Sequence, residues 1–100
     1  MSSLQLNNTE LNLVREILKK HIPTYEVWAF GSRVTGKAKK FSDLDLAIMT
    51  TDAFDIKKLF ALKNDFSESN LPFKVDIVIW SDLDRDFRKI IKDKYYVLQV

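Results

Sequence analysis

The apolar residues of this chain alternate between blocks with helical spacing and short, nearly continuous runs that read as strands. Leu11, Val14, Leu18 and Ile22, with Ile17 beside them, recur every three or four residues. Thr9 is placed to cap that helix and Pro23 to end it. Glu26 to Phe30 reads as a first strand and Asp45 to Met49 as a second. Both are apolar on both faces, so helices are expected to cover them. Thr50 to Ala53 reads as a turn. Asp55 to about Phe66 follows as a helix, with Ile56, Leu59, Phe60 and Leu62 or Lys63 toward its buried side. After a loop over Ser67 to Pro72, Lys74 to Trp80 alternates with the period of a strand. Val75, Ile77 and Ile79 share one face, and Asp76, Val78 and Trp80 the other. Ser81 or Asp82 is expected to cap a third helix with Leu83, Phe87, Ile90 and Ile91 inward, and Tyr95 to Val100 to form a short last strand. The polar residues 1–8 are expected to be loose.

Composition narrows the class without choosing a function. The 100 residues are expected to form one domain, and 46% hydrophobic content with seven Phe and two Trp is enough for a core. A net charge of +2 is too small for a dedicated nucleic-acid binder, so no direct nucleic-acid partner is expected. With no cysteine there are no disulfides and none of the usual structural zinc sites. No apolar run approaches the ~18 residues of a membrane helix, and Met1-Ser2-Ser3-Leu4-Gln5 lacks the charged segment before an apolar one that a signal sequence shows. A soluble, cytoplasmic protein with no membrane partner is expected.

The stretch from Val27 to Met49 carries the candidate chemistry. One apolar run ends in Gly31-Ser32-Arg33, and ten residues later Asp43-Leu44-Asp45 opens the next. In strand geometry Asp43 and Asp45 point the same way, roughly 7 Å apart. Asp76 interrupts an otherwise apolar strand, where an unpaired carboxylate is costly. If the three are neighbours, each like-charge pair at ~4 Å costs about 4 kcal/mol at an effective dielectric near 20. A divalent cation is the simplest reason to keep them together, and Mg²⁺ prefers oxygen ligands with substrate phosphates. The bland alternative is that Asp43 caps a turn, Asp45 is solvated and Asp76 pairs with Lys74 or an arginine. Arg33, directly after the Gly-Ser turn, favours a phosphate role, whereas Lys37, Lys39 and Lys40 serve equally well as a solvated loop. Gly31 to Lys37 nearly spells a phosphate-binding loop, but Ala38 stands where a Ser or Thr must reach the metal. A calcium loop would want an oxygen ligand at Ala47 and a nearby glycine, which are missing. His21 reads as a cation at a helix end, and Trp28 and Trp80 as core.

Gly31-Ser32, ten residues, Asp43-Leu44-Asp45, then Asp76 between Val75 and Ile77 resembles the signature of the minimal nucleotidyltransferases of the DNA polymerase β-like superfamily. The resemblance covers nearly the whole chain. It implies an α/β (α+β) fold, a mixed β-sheet flanked by helices, and transfer of a nucleoside monophosphate from an NTP to a hydroxyl. Asp43, Asp45 and Asp76 would be the catalytic residues and hold two Mg²⁺ ions, with Asp76 helping to activate the acceptor. Gly31, Ser32 and Arg33 would bind the nucleotide, ATP or another NTP, with ATP the expected donor. Polymerases and antibiotic-modifying members add a second, usually helical domain, for which these residues leave no segment. Small members of the family work beside a helical partner of the HEPN type, as antitoxin to toxin, and add AMP to a tyrosine of that partner.

Two other functions compete with that expectation. One is a non-catalytic module that neutralises a partner by covering it, which has no need of three aspartates. The other is nucleotidyl transfer to a small hydroxyl compound such as an aminoglycoside, for which the second domain is missing. On the partner-dependent reading, Trp80, Phe87, Tyr95 and Tyr96 are candidates for a docking patch.

Overall fold

Helix α1 (Asn8–His21) begins earlier than the Thr9 cap implies. Asn7 is the N-cap, and its side chain and that of Glu10 form a reciprocal capping box. The structure, a computed structural model, describes residues 3–100. The described part of the segment expected to be loose is anchored: Leu4 and Leu6 pack against the core, and Gln5 N–H donates to Arg33 O at 2.7 Å. Met1 and Ser2 lie outside the described residues.

Strand β1 (Glu26–Phe30) pairs antiparallel with β2 (Leu44–Met49), and β2 pairs parallel with β3 (Val75–Ile79). The last strand, β4 (Tyr96–Gln99), adds antiparallel to β1 and completes a four-stranded mixed sheet of order β3-β2-β1-β4. Between β1 and β2 the Gly-Ser turn is the start of a single-turn helix, α2 (Ser32–Thr35), closed by Gly36 with φ 84°. Four residues carry no periodicity, so sequence pattern alone does not reveal it.

Helix α1 and helix α3 (Ile56–Glu68) lie on one face of the sheet. Val14, Leu18, Ile22 and Leu62 meet Val27, Leu44, Leu46 and Ile48 there, all fully buried. Each such side chain contributes about 1.5–3 kcal/mol through burial. His21 Nε2 lies 2.7 Å from Asp65 Oδ2 and ties α1 to α3, and this contact holds the Asp65 carboxyl below its ordinary range. The expected inward set of α3 needs correcting. Leu59, Leu62 and Phe66 turn inward, while Ile56 and Phe60 are 64% and 67% exposed.

Helix α4 (Arg85–Asp93) lies against the opposite face, where Phe87 meets Phe30 edge-on and Arg88 donates to Trp80 O. Its cap is Asp84, because Trp80–Asp82 forms a 3-10 turn before the helix starts. Of the apolar residues expected inward, Ile91 is buried, whereas Phe87 and Ile90 are exposed. Trp28 stacks on Tyr95 at 3.9 Å and meets Trp80 edge-on, covering the middle of this face. Helices therefore flank both faces, and the end of the sheet nearest Phe30 and Asp45 is left accessible. Among the described residues no helix is long and apolar enough to cross a membrane.

Candidate active site

Strand register assembles the carboxylates. Asp45 stands opposite Phe30 on β1 and opposite Asp76 on β3, so Phe30, Asp45 and Asp76 form one row across the outer face of the sheet. Asp43 lies just before β2 and is exposed. Burial, reinforced by the charges of Asp76 and then Asp43, raises the Asp45 pKa from 3.8 to about 6. The three carboxylates are thus electrostatic neighbours. Among the described residues, however, no three His, Cys, Asp or Glu side chains close on a common point. Lys74 Nζ lies 3.5 Å from Asp76 Oδ1, as the bland alternative anticipates. Both partners are substantially exposed, so the pair contributes ~0–1 kcal/mol and leaves the charge of the row unbalanced. An oxygen-only donor set with excess negative charge suits a hard divalent cation.

Gly31 fits against this row because it has no side chain. Its backbone (φ 80°, ψ −156°) lies in a region open essentially to glycine alone, and a Cβ there would collide with Oδ2 of Asp45. Glycine is needed both for the turn into α2 and for the approach of the Asp45 carboxylate. At the start of α2, the N–H groups of Ser32 and Arg33 precede the first intrahelical bonds, which Val34 and Thr35 make to Gly31 O. Ser32 accepts from Thr35 Oγ1 through its carbonyl, and its hydroxyl has no hydrogen-bond partner among the described residues.

The Arg33 side chain does not face this site, contrary to its expected phosphate role. It is 5% exposed, with its guanidinium 4.0 Å from the centre of the Phe73 ring. Nε donates to Ser42 O at 3.0 Å, Nη1 to Gln5 O at 2.8 Å, and Nη2 to Ser42 O at 2.9 Å and Lys40 O at 3.2 Å. Every guanidinium nitrogen is committed to the loop between α2 and β2 or to the N-terminal segment. Arg33 holds the loop that presents Asp43, and only its backbone N–H is offered at the turn. Lys37, Lys39 and Lys40 are exposed on that loop.

A cavity of about 850 Å³ adjoins Asp45 and Asp76, with Phe30, Phe87, Phe66 and Phe73 in its walls. Phe87 reads as core from helical spacing, yet it is 38% exposed and lies edge-on to Phe30. The sequence signal for Phe30 is its place just before Gly31, which sets it opposite Asp45. Trp80 and Tyr95, proposed for docking, join Trp28 in a half-buried cluster, while Tyr96 packs against the core on the other face.

A family profile described as Polymerase beta, Nucleotidyltransferase matches residues 6–99. The chain is 49% identical over 98 residues to the probable protein adenylyltransferase MntA of Haemophilus influenzae, covering 98% of this chain and 86% of that protein. It is 29% identical over 100 residues to the protein adenylyltransferase MntA of Thermococcus cleftensis, covering 97% and 100%. Among solved structures it resembles a toxin–antitoxin crystallised with AMP-PNP, with TM-score 0.72 and 24% identity over 88% of this chain and 71% of that one. It also resembles a complex of tri-AMPylated Shewanella oneidensis HEPN toxin with MNT antitoxin, with TM-score 0.65 and 22% identity over 88% and 67%. These structural likenesses bear on the fold, which they share with the present sheet.

Proposed function

The chain belongs to the polymerase β nucleotidyltransferase family, and from that premise we propose that it transfers AMP from ATP to a tyrosine hydroxyl of a helical, HEPN-type partner. The transfer would make it the antitoxin of a cytoplasmic toxin–antitoxin pair. The observation that carries this reading is the row of Phe30, Asp45 and Asp76 set against Gly31. The relative named as a probable protein adenylyltransferase at 49% identity supports a protein acceptor.

In the proposed reaction the acceptor oxygen attacks the α-phosphorus, a new O–P bond forms, and pyrophosphate leaves as the bond to the β-phosphate breaks. Asp43, Asp45 and Asp76 would hold Mg²⁺, which when bound neutralises phosphate charge and lowers the acceptor pKa. The Ser32 hydroxyl and the N–H groups of Ser32 and Arg33 hold the β- and γ-phosphate oxygens, where charge builds as pyrophosphate departs. Gly31 lets the Asp45 carboxylate lie against the turn that offers those donors. Asp76, outermost of the row, lies on the side from which an acceptor enters and takes up the hydroxyl proton. Phe30 and Phe87 keep water from one side of the reacting atoms.

Co-expression with the helical partner, followed by intact-mass and peptide mass analysis, tests this reading. Wild type is expected to leave AMP on a partner tyrosine, and the Asp43→Asn, Asp45→Asn double variant is expected to leave none. Equal modification by both proteins would remove the aspartates from the chemistry.

A further inference from the structure

Strand β3 is an edge of the sheet, with β2 on one side and, among the described residues, no strand on the other. Leu44 N–H donates to Lys74 O at 2.9 Å, which fixes which residues of β3 address β2. Alternate residues of a parallel strand face the same neighbour, so Asp76 and Val78 bond to β2 with Lys74. The N–H and C=O groups of Val75 and Ile77 therefore face away from the sheet, and none has a hydrogen-bond partner among the described residues. An edge of this kind is ordinarily covered or blunted. Here the cavity beside Asp45 and Asp76 runs along it, lined by Val75 and Ile77.

We propose that this edge receives the acceptor as an added strand: an extended segment of the partner protein pairs with Val75 and Ile77 and places its tyrosine beside Asp76. The inference rests on the transfer reaction proposed above. The unpaired backbone groups select an extended chain, since only a strand offers donors and acceptors at their spacing. Register then fixes the side chain. Residues opposite one another on paired strands share a face about 4.8 Å apart, so the residue opposite Asp76 extends the row of Phe30, Asp45 and Asp76 by one position. A tyrosine there stands on the face that carries the Asp45 and Asp76 carboxylates. Charge beside the edge is mixed: Lys63 lines the cavity on one side, while Lys74 is already paired with Asp76, so Lys63 is the cation that an acidic residue flanking the tyrosine would meet.

The probe is a peptide of alternating valine and threonine with a central tyrosine and terminal glutamates, compared with a twin N-methylated at alternate backbone nitrogens. Amide exchange in the full chain is read by NMR with and without each peptide, in Mg-ATP and in chelator. Binding of the unmodified peptide is expected to slow exchange at Val75 and Ile77 at least tenfold, while the twin leaves it unchanged. With ATP and Mg²⁺, AMP incorporation into the twin is expected to fall at least tenfold. Equal incorporation into both peptides, or incorporation without protection at Val75 and Ile77, would overturn strand addition and leave the transferase reading intact. Protection at both amides with no AMP incorporated would uphold the docking edge and count against the transferase reading.

Discussion

Replacing Asp45 by Asn is expected to stabilise the protein in chelator at neutral pH, while abolishing AMP transfer. The pKa of Asp45 rises from 3.8 to about 6 on folding. At ~1.4 kcal/mol per unit the difference corresponds to about 3 kcal/mol of destabilisation once the group is charged. Asp45 is only half-buried, so solvent and counterions screen part of this, and about 1–2 kcal/mol is expected. The sign follows from proton binding. Below pH 3.8 the carboxyl is protonated in both the folded and the unfolded chain, and the variant gains nothing from this source. Between 3.8 and about 6 the folded chain keeps a proton that the unfolded chain has lost, so wild-type stability falls as pH rises. Above pH 6 the full penalty is present. Asn keeps the shape and offers its amide to the carboxylates of Asp76 and Asp43. Urea unfolding of both proteins in EDTA, at pH 7.5 and at pH 4, measures the difference. A gain of 1 kcal/mol in a domain of this size corresponds to a Tm rise of about 4–8 °C. A less stable variant at pH 7.5, or a gain undiminished at pH 4, would refute the electrostatic argument.

Three other substitutions separate scaffold from chemistry. Gly31→Ala places a Cβ against Asp45 at a positive φ, so a loss of about 1–3 kcal/mol together with loss of transfer is expected from denaturant unfolding and activity assays. Arg33→Met strips the donors from Gln5, Lys40 and Ser42 carbonyls, and about 2–4 kcal/mol of stability should be lost. Transfer by the folded fraction should fall with it, since the loop that presents Asp43 loses its anchor although the guanidinium does not face the site. Ser32→Ala should separate the two effects, leaving Tm nearly unchanged while turnover falls by about 10²-fold for one lost donor to the departing phosphates.

Much of this architecture is legible in residue order, and the misreadings have physical causes. The apolar runs at Val27–Phe30 and Leu46–Met49 and the alternation through Val75–Ile79 locate three strands, the first two as short runs apolar on both faces and the third by its period of two. Asp45 and Asp76 come together through register, and Gly31 reaches Asp45 through the positive-φ turn that follows β1. Ile56 and Phe60 mislead because spacing of four reads as a buried face, whereas Leu59, Leu62 and Phe66 take that place in the packed helix. The Asn7 cap was available as Asn followed three residues later by Glu, a stronger signal than Thr9. The role of Arg33 was not legible. It is decided by carbonyls of Gln5, Lys40 and Ser42 and by the ring of Phe73, which only the folded chain brings around one guanidinium.

The most direct measurement follows the fate of each phosphate. The purified chain is incubated with its helical partner, Mg²⁺ and ATP labelled either at the α- or at the γ-phosphorus. The α-label is expected to become covalently attached to a partner tyrosine, while γ-label leaves as pyrophosphate. Neither label should transfer with Asp43→Asn, Asp45→Asn protein. Retention of γ-label on the partner would show phosphoryl rather than nucleotidyl transfer. A tight complex that silences the partner with neither label attached would show a module that acts by covering, and would contradict the central claim.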